Sequence, residues 1–212
     1  MATILRDWSY RYQWLFDLIV GISALSVGGE TQFRKLPLQE LNIASEDRVL
    51  DLCCGSGQAT RFLVERSRYV VGLDCDPIAI ERAKQRVPHA EYVRAWAEDI
   101  PYGDGEFDLV HTSATLHEMQ PEQMRQILRE VYRVLKPGGC FSLIDFHLPQ
   151  NWLLRLNLYI FLWLFENETA WYFIRLNLPQ IMAQMGFQIR RLRYPAGGSL
   201  QVIHAYKIEA IA

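Results

Sequence analysis

Asp51 sits in a short apolar run, Arg48-Val49-Leu50-Asp51-Leu52, and Gly55-Ser56-Gly57 follows almost at once. A strand that runs into a glycine turn and then a helix puts bare backbone N–H groups and a positive helix end at the carboxyl edge of a parallel sheet, where ligands bind. The glycines matter because a Cβ would block close approach of a nucleotide-like ligand, and because the tight turn can demand positive φ. Asp74 lies 17 residues beyond Gly57, at the end of the next apolar run, where a carboxylate can accept both hydroxyls of a ribose. A dinucleotide-binding turn carries a third glycine three residues after the second. Position 60 is Thr60, which disfavours an oxidoreductase. His117, with Glu118 beside it and Asp145 and His147 further along, offers an imidazole in the range that moves protons near neutral pH. Cys53 and Cys54 are adjacent, and Cys75 and Cys140 have no spacing partner, so no metal site is expected.

These groups need strands to carry them, and the chain alternates short apolar runs with helical segments in the manner of βαβ units. Strands are expected at Arg48–Leu52, Tyr69–Asp74, Glu91–Ala95, Phe107–Thr112 and Cys140–Phe146. Helices are expected at Gln58–Arg66, at Ile78–Arg86 behind Pro77, and from Pro121. In the last, Met124, Ile127, Leu128, Val131 and Leu135 recur at three and four before Lys136-Pro137-Gly138-Gly139 stops the helix. Phe187–Tyr194 and Ser199–Lys207 flank Pro195-Ala196-Gly197-Gly198 like an antiparallel pair.

The segment from Asn151 to Met182 is different, with eight aromatic and four charged residues among 32. At 100° per residue, Trp152, Leu156, Tyr159 and Trp163 share one face, and Leu154, Leu158, Phe161 and Phe165 take the other. Its most apolar stretch, Leu153–Phe165, is too short to span a bilayer, which needs about 20 residues. An apolar lid over a lipid-like substrate, a weak membrane-surface contact or a homodimer interface would each cover such a helix. Near the start, Trp8, Tyr10, Tyr12, Trp14 and Phe16 fall at every second position and are expected to cover the substrate side of the ligand site.

The length of 212 residues suits one domain, and the net charge of −2 gives no field to draw in nucleic acid. The 50% hydrophobic and 22% charged composition excludes a disordered chain. Four cysteines fit a reduced cytosol, and the segment from Met1 to Arg11 has no export-signal layout, so a cytoplasmic location is expected.

Four ordered blocks resemble the class I S-adenosylmethionine-dependent methyltransferases: Val49 to Gly57, Gly72-Leu73-Asp74, Ala97-Glu98-Asp99-Ile100-Pro101 with Phe107-Asp108-Leu109-Val110, and Leu135 to Gly139. The resemblance implies a doubly wound α/β fold, with a mainly parallel seven-stranded sheet and a C-terminal antiparallel strand pair. It implies S-adenosylmethionine as cofactor, its methionine part cradled at Asp51, Gly55 and Gly57, its ribose on Asp74, its adenine at Ala97 and Glu98. Cys53, Cys75, Trp96 and Ser113, beside these blocks, complete the implied cofactor-binding set. Trp96 stands where many relatives carry an Asp for the adenine amino group; Glu98 or Asp99 could supply that acceptor.

More narrowly, Asp51 to Gly57, Tyr132 to Gly138, Leu143 to Phe146 and Gly197 to Lys207 are similar to the ubiquinone/menaquinone C-methyltransferases, nearest the phylloquinone branch. Gln58 replaces the acid usual there, and Ala114-Thr115-Leu116-His117 replaces Gly-Leu-Arg-Asn. The implied reaction is methyl transfer to a hydrophobic small molecule, a prenylated quinol or phenol; His117, at the sheet edge after the fourth strand, is the first candidate for the base by position and by the pKa range of its imidazole. The alternative, motivated by Trp96, is a non-catalytic cofactor- or lipid-binding protein of the same fold. The expected layout is a helical cap over 1–45, a cofactor-binding core over 46–148, an apolar lid over 151–185 and closing strands over 186–209.

Overall fold

The computed structural model describes residues 25–208. The expectation about Trp8 to Phe16 lies outside those residues. Seven strands form one sheet: β1 (Arg48–Leu52), β2 (Tyr69–Asp74), β3 (Glu91–Arg94), β4 (Phe107–Ser113), β5 (Leu135–Phe146), β6 (Phe187–Arg193) and β7 (Leu200–Lys207). Their order is β3-β2-β1-β4-β5-β7-β6, with β1 to β5 parallel and β7 antiparallel to both neighbours. The chain runs outward from β1 in one direction and from β4 in the other. The crevice at their carboxyl ends is therefore the place where such sheets bind ligands.

Strand alternation sorts the side chains between two buried faces. Leu50 and Leu52 point into the larger core, with Val110, Phe141 and Leu143. That core is closed by Met124, Ile127, Leu128 and Val131 of α4 (Pro121–Val134), by Phe173 of α6 (Glu168–Phe173) and by Leu178 and Met182 of α7 (Leu178–Gln184). Val49 and Leu109 face the other way, against Leu38, Phe62 and Leu63. That face is covered by α1 (Glu30–Lys35), the 3-10 turn Leu36–Leu38 and α2 (Thr60–Leu63). The remaining α-helices among the described residues are α3 (Pro77–Arg86), started by the Asp76 side chain accepting the Ile78 N–H, and α5 (Trp152–Phe165).

Three expected boundaries move. The helix expected over Gln58–Arg66 is only four residues long, because the chain leaves Leu63 through turns closed by the Arg66 and Ser67 N–H groups on its carbonyl. The helix after Pro121 ends at Val134, and β5 begins at Leu135 rather than Cys140. Pro137 disfavours helical geometry in the residue before it, and Leu135 pairs with Phe107, so the proline-glycine stop lies in an irregular stretch of strand. Finally, the aromatic insertion is three helices. Asn151, Asn167 and Asn177 each start one by accepting N–H groups of the following turn, from Leu153, from Thr169 and Ala170, and from Gln180.

Within α5, Leu158 and Leu162 are buried, while Trp152, Leu153, Leu156, Ile160 and Trp163 are exposed. The exposed face thus keeps Trp152, Leu156 and Trp163 as the periodicity requires, but Tyr159 folds inward against the Trp171 ring. Among the described residues, no helix is long and apolar enough to cross a membrane.

Candidate active site

The glycine turn follows β1 with Cys53, Gly55 and Gly57 all at positive φ, 56°, 54° and 77°. A Cβ on Gly57 would make ordinary contact, 3.4 Å, with the Ala83 backbone of α3, so it is the positive φ that calls for glycine there. Asp74, at the end of β2, accepts the Gly55 N–H at 2.8 Å through one oxygen and the Asp76 N–H at 2.9 Å through the other. The carboxylate therefore braces the turn that it faces, and its remaining lone pairs stay available to hydroxyls. The Ala95 N–H donates to the Asp74 carbonyl, which brings the segment after β3 to the same corner. There Ala97 is buried, while Trp96 is 64% exposed. Its ring is free to cover a planar ligand and takes no part in the core.

The other expected cofactor residues divide. Glu98 receives the Gln123 side-chain amide, whose oxygen accepts the Gln120 N–H, so it is tied to the start of α4. Asp99 is exposed. Of the two acceptors left open for the adenine amino group, Asp99 is the less engaged. Ser113 is taken by Arg34, whose Nη1 donates to its hydroxyl at 2.5 Å and to its carbonyl at 3.4 Å. Cys75 is exposed and presents its carbonyl to Arg94. Burial pushes the Cys53 thiol well above its ordinary range, so it stays a neutral wall of the turn.

Asp51 is buried beneath this turn and accepts the Thr60 hydroxyl at 2.6 Å. Burial pushes its carboxyl up to about 7, against the pull of that hydrogen bond and of Arg34. Strand register then extends a polar row across one face of the sheet: Asp51 pairs with His111, His111 with Ser142, and Ser142 with His204. The Ser142 hydroxyl and the His204 Nε2–H both donate to the Pro37 carbonyl, at 2.6 and 2.8 Å. These bonds, with Arg193 on the Leu36 carbonyl, strap residues 36–38 over the row. His111 is fully buried, and its two ring nitrogens have no hydrogen-bond partner among the described residues. Burial and the nearby Arg34 charge lower it to about 3, so it is held neutral.

A second constellation occupies the opposite face. His117 lies in the 3-10 turn Leu116–Glu118 after β4, only 2% exposed. Its Nδ1 is 2.7 Å from Asp145 Oδ1. Asp145 also accepts four backbone N–H groups, from Phe146 at 2.7 Å, Leu116 at 2.9 Å, and Thr115 and His117 at 3.3 Å. A carboxyl surrounded by donors acts as acceptor, which makes Nδ1 the proton-bearing nitrogen. Nε2 faces Glu166 Oε2 at 3.5 Å. Burial opposes the charged imidazole, but Asp145 and Glu166 outweigh it and hold His117 well above its usual range. Phe146 and Phe173 pack on the ring, and Phe161 and Phe165 continue that aromatic wall into α5. His147 stands apart, with Nδ1 on the Gly198 carbonyl and its ring against Tyr194.

Arg34, Thr60 and Glu166 were not expected at the site. Thr60 carried the signal of a polar residue where a glycine would sit, and Glu166 is the first acid in the chain after Asp145. Arg34 carried none.

The residues at the first corner fit S-adenosylmethionine: a turn that side chains would fill, a ribose-type carboxylate facing it, and an exposed aromatic beside it. A family model described as a methyltransferase domain matches residues 49–139. The chain is 54% identical over 205 residues to an uncharacterized methyltransferase of Synechocystis sp., covering 97% of each chain. It is 32% identical to a demethylmenaquinone methyltransferase of Lactiplantibacillus plantarum, over 69% of this chain and 67% of that one. It is also 32% identical to a 2-phytyl-1,4-naphtoquinone methyltransferase of Trichormus variabilis, over 60% and 58%. The crystal structure of an Aquifex aeolicus SAM-dependent methyltransferase shares the fold with a TM-score of 0.65 at 19% identity, covering 90% of this chain and 96% of that one. The glycine turn, the Asp74 corner and these likenesses together place the chain in the S-adenosylmethionine-dependent methyltransferase family.

Proposed function

We propose that the methyl acceptor is an apolar phenol or quinol carrying a prenyl-type chain, and that His117 takes its proton. The carrying observation is the continuity of surfaces around His117. Phe146 and Phe173 pack on its ring, Phe161 and Phe165 extend that wall into α5, and the same helix turns Trp152, Leu153, Leu156, Ile160 and Trp163 outward. An exposed apolar face of that size marks a surface that meets something apolar. The quinone-modifying relatives support a quinol head for the acceptor.

Bound S-adenosylmethionine supplies an electrophilic methyl group on a positively charged sulfur. The chain's own tasks are to align the acceptor with that methyl and to remove a proton when the acceptor atom is a phenol oxygen or its ring carbon. Asp145 keeps a proton on Nδ1, so in the neutral ring Nε2 is the nitrogen that receives one from the acceptor, and transfer rises with pH as that neutral form appears. Two neighbouring carboxylates make that nitrogen more basic, which narrows its gap to a phenol of pKa about 10. The exposed face of α5 would rest on the lipid that carries such acceptors, as a weak, reversible contact held by apolar area.

The test is transfer of a labelled methyl group from S-adenosylmethionine to a prenylated naphthoquinol and to the same quinol without its chain. Labelling of the prenylated compound in preference to the bare one is expected. Equal labelling of both, or none with cofactor bound, rejects the reading.

A further inference from the structure

We propose that Glu166 is a positioning residue for His117: it holds the Nε2 edge of the imidazole and ties the readiness of that base to the docking of α5. The inference deepens the reading of His117 as proton acceptor and rests on it.

Glu166 follows directly on Phe165, the last residue of α5, and its own N–H closes that helix on the Leu162 carbonyl. Its side chain is 13% exposed, so a carboxylate at the end of a mostly apolar helix is folded inward, at a desolvation cost that only a paired charge offsets. The partner is His117 Nε2 at 3.5 Å. That separation is close enough for charge attraction and longer than a direct N–H···O hydrogen bond of about 2.7–3.2 Å. Glu166 therefore stabilises a cationic ring by charge attraction at its Nε2 edge. Asp145 cannot do this, because it is bonded to Nδ1 and to four backbone N–H groups that fix it to β5.

The charged groups facing the ring are Asp145 from β5 and Glu166 from the end of α5. α6, packed on the same turn, contributes Phe173, and β5 adds Phe146. Glu118 adjoins His117 in the chain and has interactions of its own. Of the two carboxylates that face the ring, one belongs to the sheet and the other travels with α5. When α5 is seated, the proton leaving the acceptor breaks its O–H bond and forms N–H at Nε2, and the new positive charge lies between two carboxylates. When α5 lifts, one of them leaves, and the ring becomes a weaker base.

The experiment follows the His117 imidazole by NMR through a pH titration of the full chain, its signal assigned by loss in His117→Asn. In the wild type the midpoint is expected above the ordinary 6.5, and Glu166→Gln should lower it by about one pH unit or more, the size set by a nearby opposite charge. Glu166→Asp, which keeps the charge one methylene further back, should fall between. The rising limb of methyl transfer with pH should move down with the NMR midpoint, while the Kd for S-adenosylhomocysteine stays within about twofold. A Glu166→Gln midpoint equal to the wild type overturns the proposal. So does a wild-type midpoint at or below 6.5, which needs no variant to fold. The titration needs no methyl acceptor, so failure of the quinol reading would show separately, as absent labelling with the midpoint still responsive to Glu166.

Discussion

The Thr60 hydroxyl donates to a buried carboxylate, Asp51, at 2.6 Å, from the position where a dinucleotide-binding turn would carry glycine. One residue thus both excludes a pyrophosphate-type turn and supports the methyltransferase one. Thr60→Val keeps the shape and removes the donor, leaving Asp51 without its side-chain hydrogen bond. We expect a loss of about 1–3 kcal/mol in denaturant unfolding, with Thr60→Ser close to wild type. Equal stability of the valine variant would show that Asp51 does not depend on this bond.

Asp51 and His111 are neighbours in register, and their shifted ionisations act on stability with opposite signs. Asp51, raised to about 7 from 3.8, contributes stability that is full below 3.8 and is lost as pH rises toward 7, because the unfolded chain gives up the proton first. His111, lowered to about 3 from 6.5, contributes stability that is full above 6.5 and is lost as pH falls toward 3. Between about 4 and 6.5 the two slopes oppose each other. Asp51→Asn removes one, so its stability relative to wild type should climb by about 1.4 kcal/mol per pH unit across that window. Urea unfolding at pH 4.5 and 6.5 checks this; a difference that does not change with pH would mean Asp51 is ionised in the folded protein.

Asp74 holds the glycine turn and faces the ribose position, so its two roles must be separated. Asp74→Ala should weaken S-adenosylhomocysteine binding by about 1.5–3 kcal/mol for each charge-assisted bond lost, read by calorimetric titration. Asp74→Asn keeps one oxygen to accept the Gly55 N–H and should fold as wild type while still binding more weakly. Wild-type affinity in both variants would remove Asp74 from the cofactor site.

What could be read in advance follows the range of the physics involved. The glycine turn, Asp74 and the strands that carry them depend on local order, strand then turn then helix, and each is legible within about 25 residues. Arg34 on Ser113 and Ser142 on the Pro37 carbonyl are separated by 79 and 105 residues, and they meet only because residues 30–38 pack across the face of strands that come much later in the chain. His117 lies just past β4 at the sheet edge, which chain order alone makes legible, but its pairing with Asp145 and Glu166 depends on where β5 and α5 end in space. Periodicity in that helix gave the exposed tryptophans and missed the inward turn of Tyr159, because an all-round apolar helix does not say which side the protein will cover. The three asparagine caps, by contrast, were available as a local signal for splitting the insertion.

Trp163 is 70% exposed, as is Trp152 at the other end of the same helix, with Leu153, Leu156 and Ile160 between them. Tryptophan suits a headgroup boundary, since its ring is apolar and its N–H stays wet. The inward side of α5 is already satisfied by Leu158 and Leu162, so Trp163→Glu changes the outer face without opening the core. If that face rests on lipid, wild type should float partly with neutral vesicles, and Trp163→Glu much less, with the same thermal stability. Anionic vesicles should make little difference, because the net charge is −2 and attraction would have to come from apolar area. If instead a second copy covers the face, wild type stays out of the vesicle fraction, and light scattering reports a dimer that Trp163→Glu splits. Methyl transfer separates the two further: a lipid-facing helix predicts that Trp163→Glu raises KM for a vesicle-borne acceptor and leaves kcat for a detergent-dispersed one near wild type. A loss of kcat in both media would place Trp163 in the packing behind His117 and reject the lipid contact.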